Sequence, residues 1–222
     1  TGRNNVGGAG TSTSAVAFGG NAPPTTAATE SWNNSSWTEV SDLNTTRFVT
    51  GAGASNSSAL AVGGHNPSVG TYDNTETWNG SSWTEVADLN LARYTINNTG
   101  TVTAMLAAGG WPPSRAQTES WDGTSWTEVG DLNVAKNGGF NSGTQTSAIY
   151  SGGYTPPGNV ATAEFWNGSS WTEIADLGTA RNSGGNQGAG TSSAAIIYGG
   201  TGPSTSTEEF TASLTNKTIT SS

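Results

Sequence analysis

The chain has 222 residues, a formal net charge of −9, only 10% charged side chains, 32 Gly, 9 Trp and no Cys. An acidic balance of that size argues against a phosphate-rich partner, so neither nucleic-acid binding nor membrane insertion is expected, and the lack of cysteine removes disulfide and thiolate chemistry. No apolar run approaches membrane-spanning length and no signal peptide opens the chain; its start at Thr1, in mid-repeat, reads as a processed product or an excised domain.

Taken from the N-terminus, the sequence repeats itself in five units, 1–44, 45–90, 91–133, 134–178 and 179–222, read together as one domain. Each unit opens on a basic residue: Arg3, Arg47, Arg93, Lys136 and Arg181. A Gly-rich segment such as Val6-Gly7-Gly8-Ala9-Gly10 follows. Next comes a short apolar run ending in paired glycines: Gly19-Gly20, Gly63-Gly64, Gly109-Gly110, Gly152-Gly153 and Gly199-Gly200. These runs are too short for helices, and their flanking glycines mark strands buried on both faces.

The third segment of each unit carries Glu-x-Trp or a close variant, with both side chains on one face because strand side chains alternate. The fourth carries Trp-Thr-Glu-Val/Ile. The spacing sets Trp32 near Trp37, Trp78 near Trp83, Trp121 near Trp126 and Trp166 near Trp171 across a four-residue hairpin connection. The last unit reads Thr207-Glu208-Glu209-Phe210 and has no second Trp.

Four strands per unit cannot bury both of their faces alone, whereas units stacked about an axis can. Gly in the first strand suits the crowded position nearest that axis. The predicted fold is therefore all-β, a five-bladed β-propeller of four-stranded antiparallel blades. Arg3 opens blade one and Lys217 to Thr220 ends blade five, so each blade is contiguous and closure is expected from face packing between blades one and five.

Paired glycines, a variable loop, an aromatic, a short turn, Trp and a polar stretch into a basic residue resemble the Kelch repeat over all five units. The usual third-strand Tyr is Trp here, or Phe210 in the last unit, and the units are shorter than the roughly 50 residues typical of that repeat. The wording Asn79-Gly80-Ser81-Ser82-Trp83-Thr84-Glu85-Val86-Ala87-Asp88-Leu89-Asn90 is similar in style to kelch-like repeats of bacteriophage structural and tail proteins.

Asp42, Asp88, Asp131 and Asp176 each stand five residues before a basic residue. They read as a charge ring for ligand capture or as a structural pair or turn cap at each blade junction, and recurrence at every internal junction favours the structural reading. The repeated Glu residues are judged the same way, since a catalytic acid/base pair needs two different environments and should break the repeat. Some five-bladed propellers cleave glycosides with axial carboxylates, but the first strands here hold no Asp or Glu. Kelch-type copper oxidases use Tyr, His and Cys, whereas His65 is the one His in this chain. No catalytic residue, metal or cofactor is expected.

The residues that refuse to repeat cluster between strands two and three of each unit, in loops that would crown one rim. Trp111, Arg115, His65, Tyr72 and Tyr154 are the candidate ligand-binding residues there. Trp111 also admits a blander reading, as a cap on the mouth. Taken together, the sequence predicts a non-enzymatic binding or structural module of a virion, in a tail, fibre or decoration role, or on an extracellular surface. Its partners would be a protein or cell-surface glycan and other virion proteins. The alternatives are a carbohydrate-active propeller enzyme and an intracellular kelch-type adaptor.

Overall fold

A computed structural model describes residues 2–182, 188–201, 207–211 and 215–219, with backbone alone for 50–54 and 215–219. Thr1, Gly202, Pro203 and Thr220, which the sequence placed in the first unit, the last variable loop and the final strand, lie outside the described residues.

Blade one holds β1 (Gly7–Gly10), β2 (Ala15–Phe18), β3 (Thr29–Trp32) and β4 (Trp37–Val40). Blade two holds β5 (Phe48–Ser55), β6 (Ser58–Asn66), β7 (Gly70–Trp78) and β8 (Trp83–Glu85). Blade three holds β9 (Asn97–Thr101), β10 (Ala104–Ala108), β11 (Thr118–Trp121) and β12 (Trp126–Glu128). Blade four starts with β13 (Phe140–Thr144) and β14 (Ser147–Ser151). A two-stranded ribbon, β15 (Tyr154–Thr155) and β16 (Gly158–Asn159), interrupts it before β17 (Ala163–Trp166) and β18 (Trp171–Ile174). Blade five holds β19 (Gly188–Gly190), β20 (Ala194–Tyr198), β21 (Thr207–Thr211) and β22 (Thr215–Ile219). In every blade the strands lie side by side in chain order, with antiparallel pairing. The fold is thus all-β, a five-bladed β-propeller of contiguous four-stranded blades.

By packing, the chain divides into two compact units: residues 1–94 with 101–104 and 121–127, and residues 95–100, 105–120 and 128–222. Each has its own core. In the first, Val16, Phe18, Leu43, Val49, Ala59 and Ala61 surround Trp78 and Trp83. In the second, Leu106, Ala108, Leu132, Ala148 and Tyr150 surround Trp166 and Trp171.

The hairpin chemistry follows from the repeat. Trp32 faces Trp37, Trp78 faces Trp83 and Trp166 faces Trp171 in register. Ring centroids are 5.4 Å apart in the Trp78 pair and 5.3 Å apart in the Trp121–Trp126 pair. The residue after the first Trp closes the turn with its side chain: Asn79 Oδ1 accepts the N–H groups of Ser81 and Ser82 at 2.9 and 3.0 Å. Gly80 sits at φ 96°, where a side chain is disfavoured.

The apolar second strands are buried on both faces in blades two to four; Leu60, Ala61 and Val62 are all 0% exposed. β2 and β20 depart from that expectation and alternate between buried and more exposed residues. Such alternation is what a sheet covered on one face produces. The Gly-rich first strands are crowded as expected: a Cβ on Gly188 of β19 would lie 2.4 Å from the carbonyl oxygen of Asn141 on β13.

Candidate binding surface

The charged residues of the repeat go into the junctions. Arg47 pairs with Glu76 at 2.5 Å, Lys136 with Glu164 at 3.1 Å, Arg181 with Glu208 at 2.8 Å and Arg3 with Glu30 at 2.8 Å. Burial pulls the Lys136 ammonium below its usual range, and Glu164 beside it opposes that shift. The basic residue's partner is therefore the third-strand Glu and not the Asp five positions earlier. The Asp instead caps a strand: Oδ1 of Asp42, Asp88 and Asp131 accepts the backbone N–H of Thr29, Thr75 and Thr118 at 3.1, 3.1 and 3.3 Å.

Three further kinds of contact recur between successive blades. The second glycine of each pair donates its N–H to the carbonyl of the next basic residue, as Gly20 to Arg47, Gly64 to Arg93, Gly110 to Lys136 and Gly153 to Arg181. A side chain on Gly19, Gly109 or Gly152 would collide with that carbonyl; on Gly109 a Cβ would sit 2.4 Å from the oxygen of Lys136. The Asn that ends a unit donates through backbone and side chain to the next Glu, as Asn44 to Glu76 at 2.8 Å for both bonds and Asn133 to Glu164 at 2.7 and 2.9 Å. Finally, the indole N–H of the second Trp reaches back to a Thr on the preceding blade, Trp83 to Thr29, Trp126 to Thr75 and Trp171 to Thr118, each at 3.0 Å.

With the framework residues so engaged, the segments between strands two and three carry what varies. In blade two this segment is a hairpin extension: β6 runs through Asn66 and β7 begins at Gly70, so His65 and Tyr72 lie on strands and not in a loop. His65 stacks on Tyr94 at 4.7 Å with 25° between the rings, and Phe48 packs against both at 5.4 and 5.5 Å. The His65 Nδ1 lies 3.1 Å from Thr71 Oγ1. All three rings are half-buried, and burial raises the Tyr94 phenol. Tyr72 uses its backbone carbonyl to accept the N–H of Arg93.

In the second compact unit, Trp111 is half-buried, and exposed Pro112 and Pro113 follow it. Arg115 folds back to donate Nη2–H to the Pro112 carbonyl at 2.7 Å and pairs by backbone with Lys136. Tyr154 pairs by backbone with Asn137, and its carbonyl also accepts Ser114 Oγ–H at 3.2 Å. Asn137 Nδ2 in turn donates to Ser114 Oγ at 2.9 Å. The Trp111 and Tyr154 segments are thus brought together. In blade one, Pro23, Pro24, Thr25, Arg3, Glu30 and Glu39 help to line a cleft of about 400 Å³.

Phe48 and Tyr94 are the surface residues that the sequence reading missed. Their signal was present: the residue after the basic position is Asn4, Asn137 and Asn182 in three units, and Phe48 and Tyr94 in the other two. That position lies beside the strand 2–3 segment, as the backbone bridges of Asn4 with Asn21 and Asn137 with Tyr154 show.

Among the described residues no group of three or more His, Cys, Asp or Glu is arranged to hold a metal ion. Compared with known proteins, the chain matches no family model and no curated protein.

Proposed function

We propose that this chain is a non-enzymatic, kelch-like propeller module of a bacteriophage virion, a tail, fibre or decoration component. It engages a protein or a cell-surface glycan through its strand 2–3 segments. One observation carries this reading: Phe48, His65 and Tyr94 form a half-buried aromatic cluster at the root of the long blade-two hairpin, and two of the three replace the Asn that the repeat uses elsewhere. Aromatic clusters on a rigid frame present apolar area at low entropic cost, which suits the face of a sugar ring or an anchoring side chain of a partner. Trp111 adds a second aromatic on the corresponding segment of blade three. The engagement of Arg47, Lys136 and Arg181 with buried Glu partners supports a framework role for the repeat charges. Repeat style, low charge and absence of cysteine support the virion setting.

The test is binding of the labelled chain to a glycan panel, to bacterial cells and to co-purified virion proteins. Tyr94→Ala and Trp111→Ala each lower binding at least tenfold while leaving the circular dichroism spectrum unchanged. Turnover of any glycan by the wild type, or binding unaffected by both substitutions, overturns the reading.

A further inference from the structure

The repeat takes up its cations within its own framework. Arg3, Arg47, Lys136 and Arg181 are each paired with the third-strand Glu of their blade, and Arg93 is 0% exposed. Of the basic residues with described side chains, Arg115 alone stands outside that scheme, in a segment that does not repeat. Among the described residues no carboxylate is paired with it. Its side chain donates from Nη2 to the Pro112 carbonyl at 2.7 Å, and its Nε–H is buried with no acceptor. A guanidinium carries a planar fork of N–H donors, and one so little used is matched to an acceptor from outside, above all a carboxylate.

The groups around Arg115 belong with it to the second compact unit. The Arg115 N–H donates to the Gly110 carbonyl at 3.0 Å, which closes the residues between them into a tight loop and sets Trp111 and Arg115 at its two ends. The Lys136 N–H clamps that loop through the Arg115 carbonyl at 2.9 Å. Ser114 Oγ–H donates to the Tyr154 carbonyl at 3.2 Å and accepts Asn137 Nδ2–H at 2.9 Å, so hydroxyl and amide groups join the Trp111 loop to the Tyr154 ribbon. No Asp or Glu stands between Asp88 and Glu119 or between Asp131 and Glu164, although the chain holds 16 of them. The two joined segments therefore carry a cation and no anion of their own.

We propose that this site binds an acidic sugar, a uronic or sialic acid residue of a cell-surface glycan, with the sugar carboxylate on the Arg115 guanidinium and a face of the pyranose ring on Trp111. This rests on the binding role given above to the strand 2–3 segments and narrows it to one class of ligand. A sugar fits better than a protein anchor. The indole is half-buried, and the stretch from Gly109 to Gln117 holds no large aliphatic side chain, whereas a protein hot spot needs an apolar core that sheds its water. A pyranose asks for a flat aromatic face and a few polar groups beside it, which Trp111, Ser114 and Arg115 supply.

The test is calorimetric titration of the whole chain with oligosaccharides ending in galacturonate, glucuronate or sialate, each beside its methyl ester, which keeps the shape and removes the charge. At least one acid binds about tenfold tighter than its ester, and the difference shrinks as salt is raised. Arg115→Gln brings that acid down to the affinity of the ester, with unchanged circular dichroism. Arg115→Lys keeps the charge, loses the fork and falls between the two, and it carries the test should the Gln variant fold poorly. Trp111→Ala weakens acid and ester together. Esters that bind as well as every acid, or an acid preference that folded Arg115→Gln retains, overturn the proposal and leave the wider binding role of the strand 2–3 segments standing. Binding of a protein partner with no sugar bound does the same. No binding of sugar, cell or protein overturns both.

Discussion

Substituting Gln for Glu76 removes one charge from a pair in which both side chains are 0% exposed. Oε1 of Glu76 accepts Arg47 Nη1–H at 2.5 Å, and Oε2 accepts two donors from Asn44 at 2.8 Å. A carboxamide has a single acceptor oxygen, so its NH₂ must face either the guanidinium or the Asn44 donors. Arg47 would keep its bond to the Gly63 carbonyl at 2.8 Å but would stay buried without a counter-charge. Breaking a buried pair from one side costs about 3–5 kcal/mol. The repeat supplies its own control. Glu30 holds the same position, pairs with Arg3 at 2.8 Å, and has a side chain that is 28% exposed. Water can solvate what remains there, so Glu30→Gln costs about 1 kcal/mol. Urea unfolding followed by tryptophan fluorescence measures both. Equal losses for the two variants would refute the claim that the junction charge is held by burial.

Gly64→Ala places a Cβ 2.4 Å from the Phe48 carbonyl oxygen at φ +122°, so a loss of about 3 kcal/mol is expected; Gly158→Ala, with nothing within 4 Å, changes stability by less than about 0.5 kcal/mol in the same melt. Asp122 stands where blades one, two and four have the turn-closing Asn, and backbone N–H groups of Ser125 and Thr124 lower its carboxyl to about 2. The folded value lies below the ordinary one of 3.8, so this stabilisation is present above pH 3.8 and disappears as the pH falls through about 2. Carboxyl NMR reads the titration directly, and Asp122→Asn removes that part of the acid dependence while leaving neutral-pH stability nearly unchanged. Trp111→Ala keeps the fold and weakens partner binding, as the cell and glycan assays above would register.

The architecture was legible because its signals are local. Paired glycines, the Asn-Gly turn and the Trp spacing each act within a few residues, and their recurrence fixed the blades and the Trp pairs. The junction pairing was not legible. Asp42 lies five residues from Arg47, yet Arg47 reaches Glu76, which only the return of β7 beside β6 brings near. The sequence left Asp42 as a pair or a cap; it is a cap, on the Thr29 N–H, and Glu76 makes the pair. His65 was placed in a loop because it lies among the residues that do not repeat; the hairpin instead continues to Asn66 and resumes at Gly70. Tyr94 went unnoticed because it follows a framework Arg, and its role appears only once His65 is seen to stack on it.

Everything else rests on tryptophans that bridge successive blades, and hydrogen exchange of the indole N–H groups in dilute protein reads those bridges one by one. The structure predicts strong protection for Trp83, Trp126 and Trp171, whose N–H groups are bonded to Thr29, Thr75 and Thr118, and rapid exchange for half-exposed Trp37. Exchange of those three indoles as fast as that of Trp37 would contradict the account.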